Sequence, residues 1–106
     1  MRGDVLRNHL ELLVLTALEA GPAHGYSIIR GIRERSDGEF QLLEGSLYPA
    51  LHRLERDRLV TSSWSNVAGR KRRVYKLSQK GRATLEQQES DWRRFERAMN
   101  LVLEGR

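Results

Sequence analysis

The strongest chemical signal in the sequence is a run of positive side chains that contains no acidic residue. Between Gly69 and Arg82 these cations are Arg70, Lys71, Arg72, Arg73, Lys76, Lys80 and Arg82. Guanidinium and ammonium groups at this density attract phosphates, so the run favours a polyanionic partner such as nucleic acid. Alternatively, the same charges could only keep an exposed hairpin soluble and unpaired at its edge.

A second group of polar side chains lies on a helix predicted over Ser46–Arg56. Ser46 is expected to cap this helix, and Pro49 falls at its third position, where a missing N–H costs no internal hydrogen bond. Leu47, Leu51 and Leu54 share one face and are predicted to point into the core. A helix of this size fits the major groove of DNA, and base edges are read from near its N-terminus. The side chains available for such contacts are Ser46, Tyr48, Pro49, His52 and Arg53.

Each of these side chains also has a structural interpretation. Tyr48 could lie at the edge of the core, and Arg53 and Arg56 could pair with Glu55 or Asp57 on the surface. Upstream, His24 and Tyr26 open a predicted second helix, whose free N–H groups could bind a backbone phosphate. For Tyr26 the structural interpretation is favoured, in which the ring fills the core and the hydroxyl lies at its rim.

The composition argues against enzyme chemistry. The chain has no cysteine, and His9, His24 and His52 are not at metal-ligand spacings, so neither a metal nor another cofactor is expected. No G-x-S-x-G or phosphate-binding glycine loop occurs. The 106 residues carry a formal charge of +5. With no leader and no apolar run long enough for a membrane, they predict a cytoplasmic protein with no membrane partner.

Hydrophobic periodicity places these residues on a short series of elements. We predict helices over Val5–Ala20, His24–Arg35, Ser46–Arg56 and Gln79–Leu103, a hairpin of Leu59–Ser65 with Arg72–Leu77, and a minor edge strand over Phe40–Leu42. This order predicts a mainly α fold with a small β-hairpin (α+β), namely a winged helix-turn-helix domain followed by a long helix.

The last helix carries its apolar residues in a narrow seam rather than a broad face. Trp92, Phe95, Met99 and Val102 follow one another at steps of three and four, which predicts packing against another helix. We therefore expect a DNA-binding domain over residues 1–78 and a dimerisation helix over residues 79–106. Core packing is the default role of Trp92, although an aromatic ring at such a seam could also stack on a planar ligand.

Three strings of the sequence resemble the PadR family of transcriptional regulators. They are GPAHGY over residues 21–26, GSLYPALHRLE over residues 45–55 and GRKRRVYKLS over residues 69–78. The resemblance covers nearly the whole chain and implies a winged-helix homodimer, usually a repressor, of the short-tailed subgroup. It implies a recognition helix that starts with Ser46, Tyr48 and Pro49, and a wing over residues 69–73.

The resemblance also implies contacts near the DNA backbone for His24 and Tyr26, and control by an effector. Some family members respond to phenolic acids or flat hydrophobic drugs at the dimer interface, and Trp92 lies where an aromatic residue of that site could be. One departure concerns the turn after the recognition helix, where Arg58 replaces the usual glycine, so this turn is expected to be less open.

These observations predict a homodimeric repressor that binds a pseudo-palindromic operator in double-stranded DNA. The wing would supply affinity through phosphates and the third helix would read the sequence, with a small aromatic effector relieving repression. The alternative is a winged-helix module whose basic wing contacts an acidic protein or RNA without any specific operator.

Overall fold

The computed structural model describes residues 6–106 of the chain. In chain order its elements are α1 (Leu10–Ala17), β1 (Ala23–His24), α2 (Gly25–Arg35), α3 (Glu44–Arg56), β2 (Val60–Val67), β3 (Arg70–Leu77) and α4 (Gln79–Glu104). The predicted fold class is confirmed, because three short helices and a small antiparallel sheet precede one long helix. The predicted first helix is shorter than expected at its C-terminal end, and its proposed start at Val5 lies outside the described residues.

The core forms where α1, α2 and α3 meet the base of the sheet. Leu15, Ile28, Leu47, Leu51 and Tyr75 are almost completely buried there. The leucines predicted to anchor the third helix are therefore in the core, and the opposite side of α3 faces solvent.

The sheet contains a strand that periodicity did not reveal. Its order is β1-β3-β2, and His24 of β1 lies opposite Val74 of β3. The strand predicted over Phe40–Leu42 is wrong: Leu42 is buried and Phe40 packs against the core from an irregular segment. Their apolar character reflects this packing rather than pairing, and the Phe40 N–H donates to the Ser36 hydroxyl.

The hairpin is longer and its turn tighter than the sequence suggested. Strands β2 and β3 pair continuously from Val60 opposite Leu77 to Val67 opposite Arg70. Only Ala68 and Gly69 connect them, and both have positive φ, at 53° and 76°. Positive φ at both central residues is typical of a type I′ turn, whose twist matches that of paired strands.

The third helix begins three residues earlier than predicted. It starts at Glu44 with Leu43 at the N-cap, so Ser46 is not the cap. Pro49 consequently lies at the sixth helical position, where proline supplies no N–H to the carbonyl of Gly45. The Leu43 carbonyl accepts from the N–H groups of both Ser46 and Leu47, which orders the first turn without a side-chain cap.

The turn after α3 keeps a left-handed residue although no glycine is present. Arg58 has φ of 64°, and the Leu59 N–H donates to the Leu54 carbonyl at 2.9 Å. This is the geometry that usually selects glycine at a helix C-terminus. The Ser78 hydroxyl donates to the Arg58 carbonyl at 2.7 Å, so this turn is tied to the start of α4.

Candidate nucleic-acid interface

The exposed side of α3 presents polar side chains to solvent. Ser46, Pro49, His52 and Arg53 are all exposed, whereas Leu51 on the opposite side is fully buried. A helix whose buried face is held by the core can offer its outer face to a groove without rearrangement. Four of the five side chains predicted for base reading therefore share an accessible surface.

Tyr48 differs from these four because it lies at the edge of the core. It is half-buried, and a Cβ built on Gly25 would lie only 2.7 Å from the Tyr48 ring carbon Cζ. Tyr48 therefore packs against the core, as its structural interpretation predicts. Gly25 thus permits the close approach of α2 and α3.

The prediction that Tyr26 fills the core is wrong. Its side chain is 55% exposed, and the guanidinium carbon of Arg30 lies 5.7 Å from its ring centroid. The buried residues of α2 are Gly25, Ile28 and Ile32. Tyr26 is two residues from Ile28, which at 3.6 residues per turn turns it to the far side of the helix. It therefore lies on the solvent face of α2.

His24 joins α2 to the wing. The Ser27 N–H donates to His24 Nδ1 at 3.3 Å, which caps the N-terminus of α2. On the other side of the ring, Nη1 of Arg72 lies 2.8 Å from Nε2. A neutral imidazole has a lone pair on only one of its two ring nitrogens, so it can accept one of these contacts at a time, and a protonated ring can accept neither. Burial, and then the positive charges of Arg72 and Arg30, lower the pKa of His24 below 6.5.

We expect the free energy of unfolding to fall as the pH drops from 7 to 5, in part through His24. The unfolded chain takes up a proton near pH 6.5, whereas the folded chain resists until the lowered pKa is reached. The stability contributed by neutral His24 is therefore present above pH 6.5 and is lost below it. Urea unfolding of wild type and His24→Asn at several pH values measures this, because asparagine can cap the helix but does not titrate. Parallel pH profiles for the two proteins would contradict the assignment.

One face of the wing carries Arg70 and Arg72 beside His24. The strand register aligns Arg70 with Val67 and Arg72 with Ser65, and alternate residues of β3 project from the same face. These side chains line an open groove of about 430 Å³ together with His24 and Val74. The face is positive and partly apolar, which suits a sugar-phosphate backbone.

The other face of the wing contacts α3. Arg73 Nη2 lies 3.8 Å from Glu55 Oε2, and Glu55 also accepts a hydrogen bond from the Ser62 hydroxyl. The guanidinium carbon of Arg73 is 5.1 Å from the ring centroid of Trp64, which is itself 64% exposed. Sequence reasoning did not single out Glu55, Ser62 or Trp64 for this face. With the turn of the hairpin at Ala68 and Gly69, Trp64 lies opposite Arg73, and this pairing is the signal that could have identified the face.

The tip of the wing is an accessible cationic element. Arg70 and Lys71 are both exposed, on either side of the β3 pleat. Since Arg72 and Arg73 are partly buried by contacts within the chain, the four predicted cations fall into two pairs with different surroundings. The tip is thus best placed to reach phosphates.

The apolar seam of α4 is exposed for most of its length. Phe95, Met99 and Val102 are solvent-exposed, while Trp92 is half-buried. The Trp92 ring meets the His9 ring edge-on at a centroid distance of 5.1 Å, and Phe95 lies 5.8 Å beyond it. A shallow groove of about 280 Å³ separates this part of α4 from residues 8–12. A stripe of this kind in water is typical of an interaction surface.

Within residues 6–106, no group of three His, Asp or Glu side chains could hold a metal ion. Over the same residues, no helix has both the length and the apolar character needed to cross a membrane.

Comparison with known proteins identifies close relatives. The family model described as "Transcriptional regulator PadR-like family" matches residues 14–87. A PadR family transcription regulator from Clostridium difficile is 36% identical with a TM-score of 0.81, and the match covers 90% of this chain and 98% of that one. A transcriptional regulator from Clostridium thermocellum has a TM-score of 0.85 at 26% identity, over 92% and 96% of the two chains.

A mycobacterial relative extends the comparison. The transcriptional regulator Rv3488 of Mycobacterium tuberculosis is 42% identical over 73 residues, which are 69% of this chain and 65% of that protein. The family and the relatives named above are described as regulators of transcription, not as enzymes.

Proposed function

This chain belongs to the PadR-like family of transcriptional regulators, and on that premise we propose that it is a homodimeric repressor of a pseudo-palindromic DNA operator. The observation that carries the proposal is the joint exposure of the outer face of α3 and the cationic wing tip. The inner face of α3 is buried, and the hairpin is anchored in the core at its base by Val60, Tyr75 and Leu77. Rigid elements that present a helix and a basic hairpin suit groove reading and phosphate binding.

The proposed division of work follows the surroundings of each side chain. Ser46, Pro49, His52 and Arg53 would meet base edges, since they are exposed on α3. The remaining DNA-facing residues would mainly hold the backbone: they are Tyr48, His24, Tyr26, Arg70, Lys71 and Arg72. Phosphate contacts of this second kind fix the position of the protein on the duplex without reading sequence.

The proposed dimer uses the seam of α4. Residues 79–106 would act as the dimerisation helix, while residues 1–78 form the DNA-binding domain. Pairing across a two-fold axis would cover Phe95, Met99 and Val102 with the same residues of the partner. It would also place two α3 helices on successive turns of the duplex, about 34 Å apart.

The proposed control site is the shallow groove beside Trp92. Its ring is half-buried, yet it lines the groove with Phe95 and the segment around His9. A small planar aromatic molecule could stack there at the edge of the dimer seam, and its binding would change the separation of the two wings.

Selection of bound sequences from random duplexes tests this function. A homodimeric reader is expected to enrich a dyad-symmetric motif with half-sites spaced by one helical turn. Binding without any enriched motif would instead favour a wing that contacts an acidic protein or RNA. Light scattering on the same sample checks whether the active species has twice the mass of the chain.

A further inference from the structure

We propose that Glu55 is a positioning residue that holds Arg73 out of phosphate binding and fixes the wing against α3. The inference rests on the proposed DNA-binding function and changes the role of one residue within the basic run. Arg73 lies in the same run as Arg70 and Lys71, but its contacts within the chain are different. In this assignment the pair Glu55–Arg73 sets the geometry of the interface, and the tip residues supply its affinity.

The contacts of Glu55 join three elements through one carboxylate oxygen. Oε2 accepts a hydrogen bond from Ser62 of β2 and lies 3.8 Å from Nη2 of Arg73 on β3. Glu55 itself belongs to the last turn of α3. The recognition helix and both strands of the wing are therefore connected at one point, close to where the wing leaves the core.

Trp64 covers Arg73 from the side of the wing. Trp64 and Arg73 are opposite each other in the β2–β3 register, and the guanidinium carbon lies 5.1 Å from the centroid of the indole ring. A guanidinium that faces both a carboxylate and an indole face has its charge satisfied inside the protein. The Arg73 side chain is 40% exposed and that of Glu55 33% exposed, so neither is free to swing into solvent without breaking these contacts.

The pairing also explains how an acidic residue can be placed on a helix that faces DNA. An unpaired Glu55 would repel phosphates, whereas the ion pair with Arg73 has no net charge. Because Arg73 is paired with Glu55, it does not neutralise a DNA phosphate and releases no counterion when the protein binds duplex DNA. The tip residues Arg70 and Lys71, which are exposed, retain theirs.

The experiment measures how duplex affinity depends on salt in five proteins: wild type, Lys71→Ala, Arg73→Ala, Glu55→Gln and the double variant Glu55→Gln/Arg73→Ala. Glutamine keeps an acceptor for Ser62 but removes the negative charge. Each phosphate contact contributes a slope of about −0.9 to the plot of log affinity against log salt. Lys71→Ala should lower the steepness by about 0.9, while the double variant, which removes the ion pair as a whole, should leave it unchanged. Arg73→Ala alone leaves Glu55 unpaired and should weaken binding.

Glu55→Gln gives the result that a merely structural role would not produce. Release of Arg73 should make the slope steeper by about 0.9, so that the affinity ratio between 50 and 200 mM salt rises about 3.5-fold. Binding to random duplexes should tighten, and the preference for the selected operator should fall because the wing is less fixed. Removing Arg73 in the double variant should return the slope to that of wild type.

Two results would overturn the inference while leaving DNA binding intact. One is a loss of slope in the double variant equal to that in Lys71→Ala, and the other is an unchanged slope in Glu55→Gln. A wild-type protein that binds no duplex at any salt concentration would overturn the proposed function together with this inference. Circular dichroism of every variant identifies any that is unfolded, and Arg73→Gln then replaces Arg73→Ala in the series.

Discussion

Replacing Arg70 and Lys71 together with alanine is expected to weaken duplex binding roughly 10- to 60-fold at about 0.1 M salt. Both side chains are exposed at the wing tip, where they can reach phosphates without first breaking contacts within the chain. Two lost contacts should also lower the steepness of the salt dependence by about 1.8. Fluorescence anisotropy with a labelled duplex, repeated over a range of salt concentrations, measures both quantities.

The matched control removes the same charge from a remote surface. Arg94 and Arg97 are exposed on α4, on the side of that helix opposite Trp92 and Met99. Arg94→Ala/Arg97→Ala should leave the slope near that of wild type, because only charges next to phosphates release counterions. Equal losses in the two double variants would show that net charge, rather than the wing, governs binding.

Much of the fold could be predicted because its core uses regular spacing. Leu47, Leu51 and Leu54 recur at helical intervals, and all three are buried in α3. Tyr26 shows the limit of this reasoning, because an aromatic residue next to a buried stripe was placed in the core although its helical position turns it outward. β1 could not be predicted at all, since a strand of two residues has no periodicity and exists only because β3 lies beside it.

The predicted helix start and the predicted edge strand were both wrong. Ser46 has the usual chemistry of an N-cap, but the backbone enters α3 earlier, at Glu44, with Leu43 as the cap. Phe40 and Leu42 have the composition of a strand, but their side chains pack against the core. At Phe40 and Leu42 tertiary packing therefore overrode a local preference of the sequence.

The residues of the candidate site could be identified from the sequence more readily than their partners could. The basic run was evident, but the division of its cations between two faces depends on the strand register. That register is set by the turn at Ala68–Gly69, and alanine is an unusual residue at positive φ. Only with the turn in place does Arg72 reach His24 while Arg73 reaches Glu55.

The second large effect is expected at the seam of α4, where Phe95→Glu should convert the proposed dimer into monomers. Phe95 is 52% exposed in the isolated chain, and two-fold pairing would bury it in both protomers. Losing two buried rings costs about 4 kcal/mol, which weakens dimerisation on the order of a thousandfold. Sedimentation at micromolar concentration should then show the mass of one chain, and operator affinity should collapse to that of a single half-site.

Leu101→Glu provides the control for this change. Leu101 is 66% exposed on the same helix, but six residues from Phe95 and on the side away from Trp92. The substitution Leu101→Glu introduces the same charge into the same helix but lies outside the seam, so the dimer and its operator affinity should persist. If Phe95→Glu sediments as wild type does, the seam is not the dimer contact. If instead Leu101→Glu dissociates the protein, the contact lies on the other side of α4, and the groove beside Trp92 loses its place at the interface.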